Sequence, residues 1–116
     1  MYEFLQEKGK TFPILYVEDN DGLREKALRF FKKFFNTVYS ACDGEEGLEL
    51  YKKYQPKLIV TDIKMPKLDG LEMIKRIKLI NPNVKVIVTT AFDDKEFLIN
   101  SIKIGIFRYV NKPFKS

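Results

Sequence analysis

The sequence predicts an α/β fold with a five-stranded parallel sheet, because short β-type runs alternate with longer helical patterns along the chain. The run from Leu58 to Asp62 is nearly continuous in apolar side chains, as expected of a central strand that helices cover on both faces. The length of 116 residues and the apolar content of 45% suit one compact domain. We therefore expect a single sheet enclosed by helices.

Five strands are predicted from short apolar runs rich in β-branched residues. In chain order they are Ile14 to Val17, Thr37 to Ala41, Leu58 to Asp62, Val84 to Thr89 and Phe107 to Val110. Four helices are predicted between them, because apolar residues recur there every three or four positions. Their apolar positions are Leu23, Ala27, Phe30, Phe31 and Phe34; Leu48, Leu50 and Tyr51; Leu71, Ile74, Ile77 and Ile80; and Phe97, Leu98, Ile102 and Ile104.

Short polar residues and glycines mark the starts of the predicted helices. Asn20 or Asp21 can cap the first helix and Asp93 or Asp94 the fourth, while Asp43-Gly44 leads into the second, over Glu45 to Tyr54, and Asp69-Gly70 opens the third. Pro56 stops the second helix and Gly105 is a natural end for the fourth. Residues that start or end helices therefore separate the helices from the strands, as a doubly wound sheet requires.

Composition excludes several classes of protein. The net charge of +5 comes from basic residues scattered over helix faces, so we expect no direct nucleic-acid binding. The chain has no histidine, which excludes a histidine metal site and a histidine phosphodonor within it. Residues Met1 to Lys10 contain four charged residues and no long apolar stretch, so neither a signal peptide nor a membrane span is predicted and a cytoplasmic location is expected.

Polar residues stand at the carboxyl ends of four of the predicted strands. Glu18 and Asp19 follow the first, Asp62 ends the third, Thr90 follows the fourth and Lys112 follows the fifth. Singly, each has an ordinary explanation as a cap, a turn residue or a solvated end. Because the carboxyl ends of parallel strands meet at one edge of a sheet, together they predict a site there. The chemistry indicated is a metal-assisted transfer of a phosphoryl group onto Asp62.

Over Ile14 to Phe114 the sequence resembles the receiver domain of two-component response regulators. The likeness consists of Glu18-Asp19, Asp62-Ile63-Lys64-Met65-Pro66, Asp69-Gly70, Thr90-Ala91 and Lys112-Pro113-Phe114, which occur in the family's order and at suitable separations. The resemblance implies a flavodoxin-like, doubly wound five-stranded parallel sheet with strand order 2-1-3-4-5. It also implies that the domain is regulatory and not an enzyme, assisting only its own phosphorylation and dephosphorylation.

The resemblance further implies a role for each site residue. Asp62 is expected to be the phosphoacceptor, and Mg²⁺ to bind Asp62, Asp19, Glu18 through water, and the backbone carbonyl of Lys64. Thr90 and Lys112 are expected to contact the phosphoryl group. Tyr109, three residues before that lysine, is expected to move inward with Thr90 as the conformational switch. The phosphoryl group would come from a sensor histidine kinase or a phosphotransfer protein, and the switch would control an output domain or partner.

Three other functions fit the sequence less well. An aspartate-nucleophile phosphatase of the haloacid dehalogenase type would carry a second aspartate two residues after Asp62, where this chain has Lys64. A flavodoxin-like electron carrier would need a phosphate loop rich in serine, threonine and glycine after the first strand, whereas Glu18, Asp19 and Asp21 would repel a flavin phosphate. A protein-interaction module independent of phosphorylation is disfavoured because every site residue is present.

The ends of the chain differ from the family pattern. Residues 1–12 are expected to be an amino-terminal extension, and residues 13–116 a receiver domain that lacks most of its fifth helix, cut from a longer protein with an output domain. The aromatic residues Phe30, Phe31, Phe34 and Phe35 of the first helix would then lose part of their cover. We expect Tyr2, Phe4 and Leu5, or a second molecule in a homodimer, to shield them.

Overall fold

The computed structural model describes residues 13–63, 65–90 and 108–111 of the chain. Its strands and helices alternate along the chain as the sequence predicts. They are β1 (Ile14–Val17), α1 (Asp21–Phe31), β2 (Val38–Ala41), α2 (Gly44–Tyr54), β3 (Leu58–Asp62), α3 (Gly70–Ile80), β4 (Lys85–Thr90) and β5 (Arg108–Asn111). The predicted fourth helix lies outside the described residues, as do Lys64, Lys112 and the amino-terminal extension.

The strands form one parallel sheet in the order β2-β1-β3-β4-β5, which confirms the predicted fold class and strand order. The central strand β3 pairs with β1 through Ile14 and Leu58 and with β4 through Leu58 and Lys85. The chain moves outward from β1 to β2 and then crosses back to β3, so the strand order reverses between β1 and β3. In open parallel sheets, ligands bind beyond the carboxyl ends of the strands at such a reversal.

The two faces of the sheet pack against different cores. On the α1 side the core is rich in aromatic rings, with Tyr16 of β1 lying 5.2 Å from Phe31 between ring centroids. On the side of α2 and α3 it is mainly aliphatic and includes Ile59, Ile74 and Val86. Alternate residues of each strand enter opposite cores, because successive side chains in a strand point to opposite faces. Burial on both sides explains why β3 reads as a continuous apolar run.

Two details of the helix predictions are wrong. The first helix ends at Phe31, so Phe34 lies in the turns that follow it. Ile80 was predicted on the inner face of the third helix, but its side chain is 45% exposed because it lies at the last position of α3. Terminal residues of a helix can satisfy an apolar periodicity without facing the core, so periodicity alone could not fix either boundary.

The exposed aromatic patch predicted on the first helix is not observed for Phe30, Phe31 and Phe35, which are buried. These rings pack against one another, with centroids 5.5 Å apart for Phe30 and Phe31 and 6.3 Å apart for Phe31 and Phe35. The predicted shield of Tyr2, Phe4 and Leu5 lies outside the described residues. Among the helices that the structure describes, none has the length and apolar character that crossing a membrane requires.

Candidate functional site

The carboxyl ends of β1, β3 and β4 place three of the predicted site residues beside one another. Glu18 directly follows β1, whose last residue pairs with Thr61 of β3. Asp62 is the last residue of β3, and its register partner in β4 is Thr89, the residue before Thr90. The sheet therefore brings the acidic residues and the end of β4 to one edge, as the sequence predicts.

Glu18, Asp19 and Asp62 form a compact acidic cluster. One carboxylate oxygen from each residue lies within 4.8 Å of those of the other two. Glu18 is 1% exposed and Asp62 is 7% exposed, whereas Asp19 faces solvent. Two buried carboxylates near a third are unfavourable without a cation, because burial penalises charge and like charges repel. The cluster therefore has the character of a cation site.

The dimensions of the cluster suit Mg²⁺, which takes six oxygen ligands at about 2.1 Å and usually keeps several waters. Two ligands on opposite sides of such an ion are about 4.2 Å apart, which is twice that bond length. The separation of up to 4.8 Å in the cluster is only slightly larger. A small closure of the carboxylates, or one ligand acting through water, would fit the ion. The donor set and its spacing are therefore compatible with Mg²⁺.

Backbone hydrogen bonds hold the buried acids in place. The Glu18 amide donates to the Ala41 carbonyl of β2 at 3.0 Å, and the Asn20 amide donates to Glu18 Oε2 at 3.1 Å. On β3, the Ile63 amide donates to Asp62 Oδ1 at 2.8 Å. These amide donors restrict the orientation of both carboxylates. The carboxylates of Glu18 and Asp62 are therefore oriented by the backbone itself.

The negative charge of the cluster affects the pKa of a neighbouring tyrosine, Tyr16. Burial raises the pKa of the Tyr16 hydroxyl, and the nearby carboxylates of Glu18 and Asp62 raise that pKa further. Arg24 acts in the opposite direction but more weakly. Tyr16 therefore stays protonated at any physiological pH and adds no charge to the site.

In the loop between β3 and α3, the described residues Ile63 and Met65 to Asp69 are held mainly by close backbone approach. The Gly70 amide donates to the Ile63 carbonyl at 2.7 Å, and a Cβ on Gly70 would overlap the Asp62 carbonyl. A Cβ on Gly44, at the start of α2, would overlap the Leu68 carbonyl. Only glycine at these two positions allows the loop to pack so closely.

A polar contact joins the same loop to the start of α2. Asp43 caps α2 by accepting a hydrogen bond from the Glu46 amide at 2.8 Å, and its other oxygen lies 3.6 Å from Lys67 Nζ. The bond from Glu46 lowers the pKa of Asp43, and the Lys67 charge adds to that effect. Lys67 itself has a φ of 66°, in the left-handed region. Lys67 thus forms an ion pair while its backbone adopts an unfavourable conformation.

The structure places the remaining predicted residues only in part. Thr90 ends β4 and pairs with Asn111, while Tyr109 lies in β5 opposite Val88, so both belong to the neighbouring strands expected of them. Lys64 and Lys112 lie outside the described residues. Sequence reasoning missed Arg24, whose only signal was a basic residue one turn into the first helix. It also missed the close contact between Gly44 and the Leu68 carbonyl, because Asp43-Gly44 indicates only the start of a helix.

Comparisons with known proteins agree with this architecture. The sequence matches the response regulator receiver domain over residues 14–116. It is 34% identical to sporulation initiation phosphotransferase F of Bacillus subtilis over 101 residues, which cover 87% of this chain and 82% of that protein. Several other curated relatives are longer, and the chain spans only 41% and 48% of two of them.

Solved structures give the same result. The N-terminal domain of an uncharacterized protein from Wolinella succinogenes is 41% identical and superposes with a TM-score of 0.85, covering 90% of this chain and 85% of that one. CheY of Borrelia burgdorferi, in a complex with CheX, BeF₃ and Mg²⁺, is 27% identical with a TM-score of 0.83, covering 94% and 84%. With the parallel sheet and its acidic edge, these matches show that the chain belongs to the response regulator receiver domain family.

Proposed function

We propose that this receiver domain accepts a phosphoryl group on Asp62, with Mg²⁺ held by Asp62, Asp19, Glu18 and the backbone carbonyl of Lys64. The observation that carries the proposal is the acidic cluster, which surrounds the buried Asp62 with two further carboxylates at the reversal point of the sheet. The domain acts as a regulatory unit that assists only its own phosphorylation and dephosphorylation.

The reaction exchanges one bond at phosphorus for another. A carboxylate oxygen of Asp62 forms a bond to the phosphorus of a phosphohistidine, and the phosphorus–nitrogen bond of the donor breaks. When bound, Mg²⁺ supplies positive charge that offsets the repulsion between the phosphoryl oxygens and the carboxylates.

Thr90 at the end of β4 and Lys112 after β5 would contact the phosphoryl group on Asp62. The Thr90 hydroxyl is suited to donate a hydrogen bond to a phosphoryl oxygen, and Lys112 is suited to pair with another as a point charge. A conformation that brings Thr90 to the site is favoured only when the phosphoryl group is present to receive it. We assign Tyr109, on the adjacent strand β5, to follow that movement by turning inward.

If the phosphoryl group comes from a phosphohistidine, a partner supplies it, because these 116 residues contain no histidine. A sensor histidine kinase or a phosphotransfer protein is the donor class that fits, and an output domain or separate partner would respond to the switch. The name of the relative from Bacillus subtilis, a sporulation initiation phosphotransferase, supports placement in a phosphorelay. The domain would act in the cytoplasm.

The direct test uses acetyl phosphate as a small-molecule donor in the presence of Mg²⁺. Intact mass spectrometry should show one added phosphoryl group on the unmodified protein and none on Asp62→Asn. Glu49→Gln is the control, because it makes the corresponding change from acid to amide at an exposed residue of α2 and should leave the yield unchanged. An adduct of equal yield on Asp62→Asn would remove Asp62 as the acceptor.

A further inference from the structure

Arg24 of α1 reaches back to the loop that carries two of the acidic residues. Its Nη1 donates to the backbone carbonyl of Glu18 at 2.9 Å, and its Nη2 lies 2.6 Å from Asp21 Oδ1. The arginine side chain is 20% exposed, whereas that of Asp21 is 86% exposed. The guanidinium is therefore bound at two points, one of them on the backbone of the acidic loop.

The bond to the Glu18 carbonyl completes the anchoring of that residue. Its amide is already held by the Ala41 carbonyl of β2 and its carboxylate by the Asn20 amide. The carbonyl of Glu18 shares a rigid peptide plane with the amide of Asp19. Fixing the carbonyl therefore also fixes the direction in which the chain enters Asp19.

Asp19 depends on this backbone more than its two neighbours in the cluster do. Its side chain faces solvent, whereas Glu18 and Asp62 are buried and held by amides. The position of the Asp19 carboxylate thus follows from the orientation of its own backbone. We propose that Arg24 is a positioning residue for the metal site, which holds the Glu18–Asp19 peptide so that the Asp19 carboxylate faces Asp62. This inference rests on the proposed Mg²⁺ site.

The two possible roles of Arg24, through its charge or through positioning the loop, predict opposite changes in Mg²⁺ affinity when Arg24 is replaced. If Arg24 acted only through its charge, Arg24→Gln would make the cluster more negative and tighten Mg²⁺ binding. If it positions the loop, the same change should weaken binding, and substitutions of residues that orient metal ligands typically cost about tenfold or more in affinity. The sign of the change therefore separates the two roles.

The experiment measures Mg²⁺ affinity by isothermal titration calorimetry for the unmodified chain, Arg24→Gln, Arg24→Lys and Arg29→Gln. Arg29 is the matched control, because it is an exposed arginine of the same helix and its loss changes the net charge equally. We expect binding about tenfold weaker for Arg24→Gln, partial recovery for Arg24→Lys, and little change for Arg29→Gln. Tighter or unchanged binding by folded Arg24→Gln would overturn the assignment.

A metal-free measurement keeps this inference separate from the proposed function. Amide hydrogen exchange without Mg²⁺ should be faster at Asp19 and Asn20 in Arg24→Gln than in Arg29→Gln, while the amides of β3 stay protected in both. Failure of the unmodified chain to bind Mg²⁺ would count against the proposed site itself. Normal Mg²⁺ binding together with unchanged exchange in Arg24→Gln would count against Arg24 alone.

Discussion

The two loops that frame the site are held by different kinds of contact. The loop from Glu18 to Asn20 is held by hydrogen bonds from amides and from the Arg24 guanidinium. The described residues of the loop between β3 and α3 are held mainly by close packing at Gly44 and Gly70, with one ion pair between Lys67 and Asp43. Hydrogen bonds to exposed or half-exposed groups contribute roughly 0.5 to 1.5 kcal/mol each, so their loss is graded. A clash between an added Cβ and backbone atoms cannot be relieved by a small side-chain movement, so its energetic cost is not graded in this way.

The difference fits the proposed tasks of the two loops. The first presents an exposed carboxylate, Asp19, and a polar network permits small adjustments when a cation arrives. The second follows the phosphoacceptor strand directly, and movement there would displace Asp62 itself. We therefore expect a side chain added at a glycine that packs against the second loop to act through sterics and to be severe, and substitutions in the first loop to be milder and graded.

Gly70→Ala should have the largest effect. The new Cβ would overlap the Asp62 carbonyl and approach the Ile63 Cα, so β3 or α3 must shift. Overpacking typically costs about 1 to 3 kcal/mol, and a clash with backbone should reach the upper end of that range. Urea denaturation should show this loss in the free energy of unfolding, and phosphorylation of the folded fraction should also fall.

Gly47→Ala is the matched control for that substitution. Its Cβ would meet mainly Met73 Sδ, the end of a flexible side chain that can move, and would lie close to a Val17 methyl group without touching backbone. Alanine is also the better helix former. We expect a cost below about 1 kcal/mol. Equal costs for the two variants would show that Gly70 does not set the loop by close approach.

Asn20→Ala tests the polar loop and should have an intermediate effect. The Asn20 side chain caps α1 by accepting a hydrogen bond from the Leu23 amide at 2.9 Å, and losing a cap costs about 1 kcal/mol. Alanine keeps the backbone amide that donates to Glu18, so Mg²⁺ affinity should change less than in Arg24→Gln. Urea denaturation and calorimetry measure the two quantities.

The corresponding cap of α3 provides the comparison for Asn20. Asp69 accepts a hydrogen bond from the Glu72 amide at 2.8 Å and is also exposed, so Asp69→Ala should cost about as much. A loss for Asn20→Ala as large as that for Gly70→Ala would contradict the idea that the first loop responds in a graded way.

The resemblance to the receiver family predicted the strand order. The sequence itself predicted that Glu18, Asp19 and Asp62 meet, because strand ends and polar residues are local features that a parallel sheet brings together. It did not predict how the loops are held. The bond from Arg24 to the Glu18 carbonyl depends on a side-chain rotamer, and the contact between Gly44 and Leu68 depends on how two distant segments pack. Neither is encoded by periodicity or by a short motif.

Lys67→Gly should have the smallest effect, because two changes of opposite sign nearly cancel. Its ion pair with Asp43 spans 3.6 Å and the lysine side chain is 62% exposed, so its loss costs at most about 1 kcal/mol. Its φ of 66° costs a residue with a Cβ roughly 1 to 2 kcal/mol, which glycine avoids. The net change in unfolding free energy should stay within about 0.5 kcal/mol, because glycine also loses more chain entropy on folding.

Lys67→Val separates the backbone from the ion pair. Both variants lose the bond to Asp43, but valine is β-branched and fits the left-handed region poorly, so it should be less stable than Lys67→Gly by about 1 kcal/mol or more. Urea denaturation of the two variants measures that difference. Equal stability would mean that the loop can leave its left-handed conformation at little cost, and backbone geometry would then hold the β3–α3 loop no more firmly than hydrogen bonds hold the loop after β1.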